Sequence, residues 1–454
     1  MKKSSLLGHA AEALSRIREG HRPADSLLAD FFRERRYLGA RDRREIAGMV
    51  FGTLRHIRLL ELLVHAVTSG FSTAAIPAGS PNTSLLVAAY LLHVERDDTA
   101  ETSAGLAEYL SAGLSGETAA AFLAALKSAQ IPAEILDSPV SRIGILHSFP
   151  DCLVREWITR MGPEDTEALS ASLNEQAPLS IRVNTLKSTV DHCRQALAAA
   201  GVETHKGRCS PFALVLPKRL ALDTLQAYRD GLFEMQDEGS QLLSLLVQPQ
   251  PGTTVVDACA GGGGKTLHLA ALMENRGCLV AIDQDERKLR NLTQRAERAG
   301  ARVHMVLSAE REKDAIARLR GMAHGVLVDA PCSAIGTVRR NPALKMTYTE
   351  DRSIQLSRLQ EALLDAAALL VMPGGRLVYS TCTLVQKENE DRVSHFLESH
   401  PGFVLQPAYE ILSRWGIVVD RSSPYLQLYP HRSGTDGFFA AVFLKDEGGG
   451  RSSR

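Results

Sequence analysis

Two cysteines that follow predicted β-strands carry the strongest chemical signal in this sequence. Cys332 stands in the run DAPCS (residues 329–333), and Cys382 stands in the run YSTCT (residues 379–383). A thiolate is a strong nucleophile toward an electron-poor ring carbon. A glycine-rich run at residues 259–265, of the kind that binds nucleotide-type cofactors, lies upstream of both. The two thiols and the loop together predict covalent chemistry on a base.

The glycine-rich loop is predicted to bind the cofactor. Its residues are Cys259, Ala260, Gly261, Gly262, Gly263, Gly264 and Lys265. Glycines let the backbone approach a ligand closely, but four in a row are costly to order. We therefore favour a bound cofactor over an empty turn. Asp283 ends the next predicted strand, where an acidic side chain can bind ribose hydroxyls.

The amino-acid sequence of the loop disfavours two other nucleotide-binding motifs. A Walker A loop needs Gly, four residues and then Gly-Lys-Ser/Thr, but here Cys259 occupies the leading position. A dinucleotide fingerprint G-x-G-x-x-G would place Thr266 or Leu267 where its last glycine belongs. A P-loop ATPase is kept only as a weak alternative.

A lone cysteine is usually an inert, buried small hydrophobe. Two cysteines at the active edge of one sheet, with Asp329 beside Cys332, make reactivity the better interpretation. The other cysteines keep the inert interpretation, and Cys259 is expected to serve packing or backbone geometry in the loop. The seven cysteines are odd in number and contain no C-x-x-C pair, which argues against a zinc finger or a disulfide framework.

From about residue 236 onward, strand and helix patterns alternate. Strand patterns cover residues 255–258, 278–283, 303–307, 325–329, 376–380 and 438–444. Repeated β-α units predict an α/β fold with a doubly wound, mostly parallel, Rossmann-like sheet. Ligands bind such sheets beyond the carboxyl ends of the strands, which is where the loop and both cysteines stand.

Four segments are predicted along the chain. Apolar residues at helical spacing predict an all-helical domain over residues 1–138. Residues 139–235 mix both patterns and predict a small α+β subdomain that binds RNA or links its neighbours. Residues 236–446 form the Rossmann-like domain, and residues 447–454, made mostly of Gly, Ser and Arg, are expected to be a disordered tail.

The 454 residues carry no net formal charge and have a pI of about 7.2, so the protein is not basic overall. Local basic patches are not excluded, and such patches steer nucleic acid. A string of arginines lies between residues 33 and 58 and includes Arg33, Arg36, Arg43 and Arg44. The string is either a phosphate-binding surface or a solvated helical face, and we weigh the two equally.

We expect a cytoplasmic monomer that binds neither membrane nor metal. Glu12 and Arg16 interrupt the first apolar stretch, so no signal peptide is predicted. No run reaches the roughly 18 to 20 apolar residues of a membrane helix. Free thiols fit a reducing cytoplasm.

The motifs resemble those of the Sun-type (Fmu-type) RNA cytosine-5 methyltransferases, which use S-adenosylmethionine. The resemblance covers residues 180–445 and rests on the glycine loop, Asp283, DAPCS and STCT, with RVNT (182–185), QDEGSQ (236–241) and DGFF (436–439). The run VFGTLR (50–55) and its neighbours resemble the NusB-like RNA-binding domain of the members that act on small-subunit rRNA. The resemblance implies S-adenosylmethionine as cofactor and RNA, small-subunit rRNA above all, as partner.

The resemblance also assigns unequal roles to the two cysteines. Cys382 would attack C6 of cytosine so that C5 can take the methyl group, and Cys332 would assist release of the covalent adduct. Asp329 would hydrogen-bond the base edge and help to protonate N3 as charge develops, and it is also expected to contact the cofactor. Lys265 would help to hold the loop and the substrate region. DNA cytosine methyltransferases, the nearest chemical rival, attack with the Pro-Cys cysteine and lack a Thr-Cys partner. Further expected phosphate contacts are Arg339 and Arg340.

Two positions depart from the family pattern. Gly261 and Gly262 replace the usual Ala-Pro, which should loosen the loop but keep its backbone donors. Ser308 stands where an Asp is usual and is expected near the adenine with a weaker hydrogen bond. Two alternative functions stay open. One is a non-catalytic RNA-binding assembly factor with a relict methylase domain, and the other is a cytosine-5 methyltransferase that acts on tRNA.

Overall fold

The computed structural model describes residues 1–20, 22–69, 83–97, 99–218 and 220–447. Contacts divide the chain into two compact units, Met1–Glu175 with Val338–Tyr348 and Gln176–Thr337 with Thr349–Arg454. The first unit thus runs past residue 138, and the four predicted domain limits stay a prediction. Most of the expected tail, residues 448–454, lies outside the described residues.

The first unit is helical, as predicted. Its helices are Lys3–Glu19, Ala24–Glu34, Ala40–Arg55, Ile57–Thr68, Thr83–Ala89, Ala100–Leu110, Gly116–Ser128, Ala133–Asp137, Pro139–Leu146, Asp151–Met161, Pro163–Ser172 and Leu344–Thr347, and the π-type turn Tyr90–Val94 continues the fifth. The helices Ala40–Arg55 and Ile57–Thr68 are separate, because the chain leaves helical geometry at His56. Leu14, Val50 and Leu60 lie in the fully buried core of this unit.

One stretch of this unit, Gly116–Asp137, is long and apolar enough by composition to cross a membrane, with a mean hydropathy of 1.2. Core helices pass the same test. The stretch is broken between Ser128 and Ala133, and Phe122 and Leu126 on it are buried in the core. The expected absence of a membrane partner stays a prediction.

A buried lysine fastens the returning segment Val338–Tyr348 to the first unit. Lys345 Nζ donates to the carbonyl oxygens of Arg55 (2.9 Å) and His147 (2.7 Å) and to Asn174 Oδ1. Burial lowers the pKa of Lys345 well below its usual value. The three acceptors of Lys345 therefore hold the segment in place on the first unit.

The second unit begins with a small antiparallel sheet, which confirms the predicted α+β insert. Its strands are β1 (Leu179–Val183), β2 (His205–Lys206), β3 (Ala213–Leu216) and β4 (Phe233–Met235), in the order β2-β3-β1-β4. The helices Val190–Ala199 and Gln226–Arg229 cover it. Ile181, Leu197 and Phe233 form its buried core.

The large sheet confirms the predicted doubly wound, mostly parallel fold. Its strands are β5 (Thr254–Asp257), β6 (Cys278–Asp283), β7 (Met305–Ser308), β8 (Ala323–Asp329), β9 (Val371–Thr381), β10 (Phe403–Gln406), β11 (Leu426–Leu428) and β12 (Phe438–Lys445). Strands β7-β6-β5-β8-β9 are parallel, and β12 pairs antiparallel with β9, β10 and β11. The antiparallel pairings of β10, β11 and β12 were not predicted.

Helices flank this sheet and connect its strands. They are Glu238–Leu246, Gly264–Leu272, Glu286–Ala299, Lys313–Ala317, Glu350–Ala368, Glu390–Ser399, Ala408–Ser413 and Pro430–Ser433. The strand order reverses between β5 and β8, which is where open α/β sheets bind ligands. The glycine loop follows β5, Asp329 ends β8 and Cys382 follows β9, so the fold gathers the predicted site at one edge.

Candidate active site

The two predicted reactive thiols lie side by side. Strands β8 and β9 are parallel neighbours with Asp329 opposite Ser380, and the sulfur atoms of Cys332 and Cys382 are 3.4 Å apart. The hydrogen bond with Cys382 and burial raise the pKa of the Cys332 thiol well above its usual range. Cys332 is therefore held as a thiol that can donate to a thiolate at Cys382.

A buried carboxylate fixes the turn that carries Cys332. Glu388 accepts the Ser333 backbone N–H (2.8 Å), the Ser353 hydroxyl (3.0 Å) and the Gln360 side-chain amide (3.1 Å). Glu388 is fully buried, and these donors satisfy both of its oxygens. The role of Glu388 is therefore to position Cys332.

The neighbouring Asn389 fixes the turn that carries Cys382. Its side chain accepts the Thr381 hydroxyl at 2.6 Å and donates to the Thr383 carbonyl at 3.0 Å. The Thr383 hydroxyl lies 2.7 Å from that of Ser333, which ties the two cysteine turns together. Both thiols are thus held by hydrogen bonds that converge from Glu388 and Asn389.

An ion pair links the glycine loop to the cysteine strands. Lys265 Nζ lies 2.5 Å from Asp329 Oδ2, and the Ser380 hydroxyl donates to Asp329 Oδ1 at 3.0 Å. Burial acts to lower the pKa of Lys265, but the charge and hydrogen bond of Asp329 outweigh it and raise that pKa above its usual value. Cys382 acts on the pKa of Lys265 in the same direction, so the ammonium lies close enough to Cys382 to interact with it.

A second acidic residue, Asp257, anchors the loop through the helix that follows it. It is fully buried at the end of β5 and accepts the Thr266 hydroxyl at 2.7 Å. Burial raises the pKa of Asp257 to about 6. Since Thr266 lies in the first turn of the following helix, this contact fixes how the loop leaves the strand.

The glycine loop turns where the structure requires glycine. Gly263 has φ +87°, and a Cβ there would lie 2.7 Å from the Leu292 side chain. Burial raises the pKa of the Cys259 thiol, which leaves it protonated. Asp283 accepts the backbone N–H groups of Gly261 and Asp285, both at 2.8 Å, one on each oxygen. Asp283 therefore keeps lone pairs for a ligand beside the loop.

An arginine that the sequence did not single out holds the loop open to the cavity. Arg295 Nη1 donates to the Gly262 carbonyl at 2.5 Å, and its Nη2 pairs with Glu234 Oε2 at 3.0 Å. Glu234, buried on β4, also pairs with Arg298. This network joins the small sheet to the loop and restrains the segment where glycines replace Ala-Pro.

Ser308 ends β7, opposite Asp283 in the neighbouring strand. Its side chain is buried, and its backbone N–H donates to the carboxylate of Glu312. The Glu312 carboxylate therefore lies beside Ser308, although it comes four residues later in the chain. Sequence reasoning missed Glu312 because it considered only the residue that directly follows the strand.

A cavity of about 360 Å³ joins these parts. Asp237, the glycine loop, Lys265, Arg295 and Asp329 line it. A volume of this size falls in the range of small-molecule sites. Backbone groups of the glycine loop, the Lys265 ammonium and the Asp329 carboxylate give this cavity the polar donors and acceptors that a nucleoside cofactor needs.

The predicted RNA-contacting arginines differ in exposure. Arg33, Arg36 and Arg44 are exposed and Arg43 is half-buried, in the first unit. Arg33 pairs with Asp30 at 2.6 Å, and Arg43 donates to the Leu38 carbonyl at 2.9 Å. Arg340 is exposed, but Arg339 is 4% exposed, so we leave Arg339 out of the proposed phosphate contacts.

Two protein-family models match this chain. The model described as 16S rRNA methyltransferase RsmB/F matches residues 244–444, which hold the large sheet and the site. The model of the ferredoxin-like domain of RsmF/B-like methyltransferases matches residues 149–223, which overlap the small antiparallel sheet.

Similar proteins cover most of the chain. The probable ribosomal RNA small subunit methyltransferase B of Bacillus subtilis is 29% identical over 98% of this chain and all of its own length. The probable ribosomal RNA small subunit methyltransferase B of Synechocystis is 35% identical over 68% of this chain and 70% of its own length. The crystal structure of PH0851 matches with a TM-score of 0.77 at 28% identity, over 97% of this chain and 99% of that one.

These findings confirm the family to which the motifs pointed. They agree with the fold, in which a small antiparallel sheet precedes the methyltransferase sheet. The chain belongs to the RsmB/F family of rRNA methyltransferases, enzymes that methylate cytosine at C5.

Proposed function

We propose that this chain methylates C5 of a cytosine in 16S rRNA through a covalent adduct between Cys382 and C6 of the base, with S-adenosylmethionine as methyl donor. The observation that carries the proposal is the pair of sulfur atoms 3.4 Å apart, next to the Lys265–Asp329 ion pair and the glycine loop. Family membership supports the substrate class, and the geometry supports the mechanism.

S-adenosylmethionine, when bound, supplies a methyl group on a positively charged sulfur. The residues that would hold it are the loop 259–265, Asp283 for the ribose hydroxyls, and Ser308 with Glu312 for the adenine. Asp283 and Glu312 offer acceptors, and the loop offers backbone donors. Asp329 would border the cofactor from the other side of the cavity.

The loop restraint by Arg295 yields a testable expectation. Arg295→Met removes the donor to the Gly262 carbonyl, while Glu234 keeps Arg298 as its partner. We expect the Kd for S-adenosylmethionine to rise about tenfold, the effect of losing one charge-assisted hydrogen bond. Calorimetry measures it, with Arg290→Ala, an exposed change on the same helix, as control. Equal affinity of the Arg295 variant and the parent would contradict the role.

Catalysis begins at Cys382. Its thiolate, stabilised by Lys265 and by the Cys332 S–H, forms the C–S bond to C6, and the displaced electron pair makes C5 nucleophilic. Asp329, held by Lys265 and Ser380, accepts a hydrogen bond from the base edge and orients the ring. The target base must leave any stack to reach the cleft, so opened or single-stranded RNA is favoured.

Release of the product falls to Cys332. The hydrogen bond with Cys382, burial and then the charge of Cys382 raise the pKa of its thiol. Once Cys382 is a neutral thioether, that charge is gone and Cys332 loses a proton more readily. Having given its own proton to water, the Cys332 thiolate can then take the C5 proton, whose electron pair restores the C5–C6 double bond as the C6–S bond breaks and the Cys382 thiolate leaves.

Purified protein tests the function directly. We expect transfer of a labelled methyl group from S-adenosylmethionine to 16S rRNA, mapped to a single cytosine by bisulfite sequencing. Transcripts of tRNA and cytosine-containing DNA of equal length serve as controls. Modification of tRNA instead would favour the tRNA alternative, and absence of both transfer and cofactor binding would favour the non-catalytic assembly factor.

A further inference from the structure

The second unit holds a larger cavity that the mechanism does not use. It measures about 570 Å³ and is formed by residues 207–211 of the small-sheet region and by residues 415–420 and 427–433, which flank β11. We call it the Trp415 cavity. A volume in this range accommodates a small organic ligand.

Aromatic side chains form part of its wall. Trp415 is 39% exposed and is held edge-on against Phe212, with ring centroids 5.7 Å apart. Tyr429 lines the cavity as well and carries the Arg432 guanidinium over its ring, 5.5 Å from the centroid. Exposed rings that are fixed by neighbours offer flat faces on which a nucleobase can stack.

The charge at the mouth is positive. Arg208 and Arg432 line the cavity against a single acidic residue, Asp420. Arg208 is exposed and forms no ion pair within the described residues. Arg208 Nη1 lies close to Gly434, 3.9 Å from where a Cβ of that residue would be. Gly434 is two residues from Arg432, so both arginines lie at the same opening of the cavity. Two guanidinium groups near stacking rings suit a base with its phosphate.

The Trp415 cavity adjoins the active site. Leu428 lines it, Phe438 lines the cofactor cavity, and the two are partners in the β11–β12 pairing. Strand β12 pairs in turn with β9, whose last residue precedes Cys382. Two strand spacings place β11 about 10 Å from the strand that carries Cys382. A chain with one base at Cys382 can therefore place a neighbouring nucleotide here.

We propose that the Trp415 cavity binds an unpaired nucleotide of the RNA strand adjacent to the target cytosine, with the base on Trp415 and the phosphate between Arg208 and Arg432. This subsite rests on the proposed function, because it extends the same RNA path. It would help to keep the strand open around the target, since stacking on the protein replaces stacking in the RNA.

Tryptophan fluorescence reads the subsite without catalysis. The chain has two tryptophans, and the other, Trp157, is fully buried in the first unit. We expect a short oligocytidylate to quench the emission of the parent protein and to leave that of Trp415→Phe unchanged. In methylation of 16S rRNA, Trp415→Ala should raise the KM for RNA about tenfold, the effect of one lost base stack, with the KM for S-adenosylmethionine unchanged.

Arg208→Ala keeps the test independent of any folding defect, because Arg208 is exposed. It should weaken oligocytidylate binding and reduce the salt dependence by about one counterion. Arg276→Ala removes a charge at an exposed position paired with Glu274 and serves as the matched control. If the parent methylates RNA while Trp415→Ala and Arg208→Ala keep its KM, the subsite is overturned. If the parent methylates no RNA, the proposed function fails, and quenching still reports on the cavity.

Discussion

Cys382→Ala is expected to lower the rate of methyl transfer to 16S rRNA by at least about a thousandfold, because it removes the thiol to which we assign the bond to C6. Binding of S-adenosylmethionine should be unchanged, since the cofactor loop does not include Cys382. Transfer of a labelled methyl group measures the rate, and calorimetry measures cofactor binding. Near-normal turnover of this variant would refute the assignment of the nucleophile.

Cys332→Ala is the informative partner of that variant. It leaves Cys382 able to attack but removes the thiol 3.4 Å away that assists release. A covalent protein–RNA adduct should therefore accumulate and migrate as a shifted band under denaturing conditions. The adduct should be absent from the double variant. Cys278→Ala, at the opposite end of the sheet, controls for the loss of a thiol as such. An adduct formed by Cys382→Ala instead would support the DNA-methylase order of roles.

Asp329→Asn is expected to lower the free energy of unfolding by about 2 to 3 kcal/mol, because it leaves the mostly buried Lys265 ammonium without its counter-charge. Methyl transfer should fall at least about a hundredfold, since both the base contact and the position of Lys265 are lost. Urea denaturation measures the first effect, and initial rates measure the second.

The double variant Lys265→Met/Asp329→Asn separates stability from catalysis. It removes both charges together, so most of the lost stability should return while the activity stays low. Glu361→Gln, which breaks the more exposed pair with Arg392, should cost less than about 1 kcal/mol and leave activity intact. A double variant no more stable than Asp329→Asn would show that the two groups do not act as a pair.

The sequence predicted the chemistry better than the architecture that supports it. The thiols of Cys332 and Cys382 could be expected to meet, because parallel strands bring their carboxyl ends to one edge. The contacts that hold them could not be predicted in the same way. Glu388 reaches Ser333 across 55 residues of chain, and Arg295 reaches Gly262 across 33. No local pattern encodes such pairings.

The unpredicted strands have a similar explanation. Strands β10 and β11 have four and three residues, too few for a clear alternation of apolar and polar side chains. Their place in the sheet depends on pairing with β12, which is a tertiary contact. The Trp415 cavity depends on the same pairing of β11 with β12, so it could not be predicted from the sequence either.

The segment Val338–Tyr348 bears on how this protein can be divided. It lies in sequence between the Cys332 turn and the rest of the methyltransferase sheet, yet it packs with the first unit through Lys345. A truncation that starts at residue 176 would therefore retain Lys345 and delete all three of its acceptors. A single cut before residue 176 therefore does not separate the two units, because the segment that carries Lys345 stays with the catalytic unit and loses its packing partners.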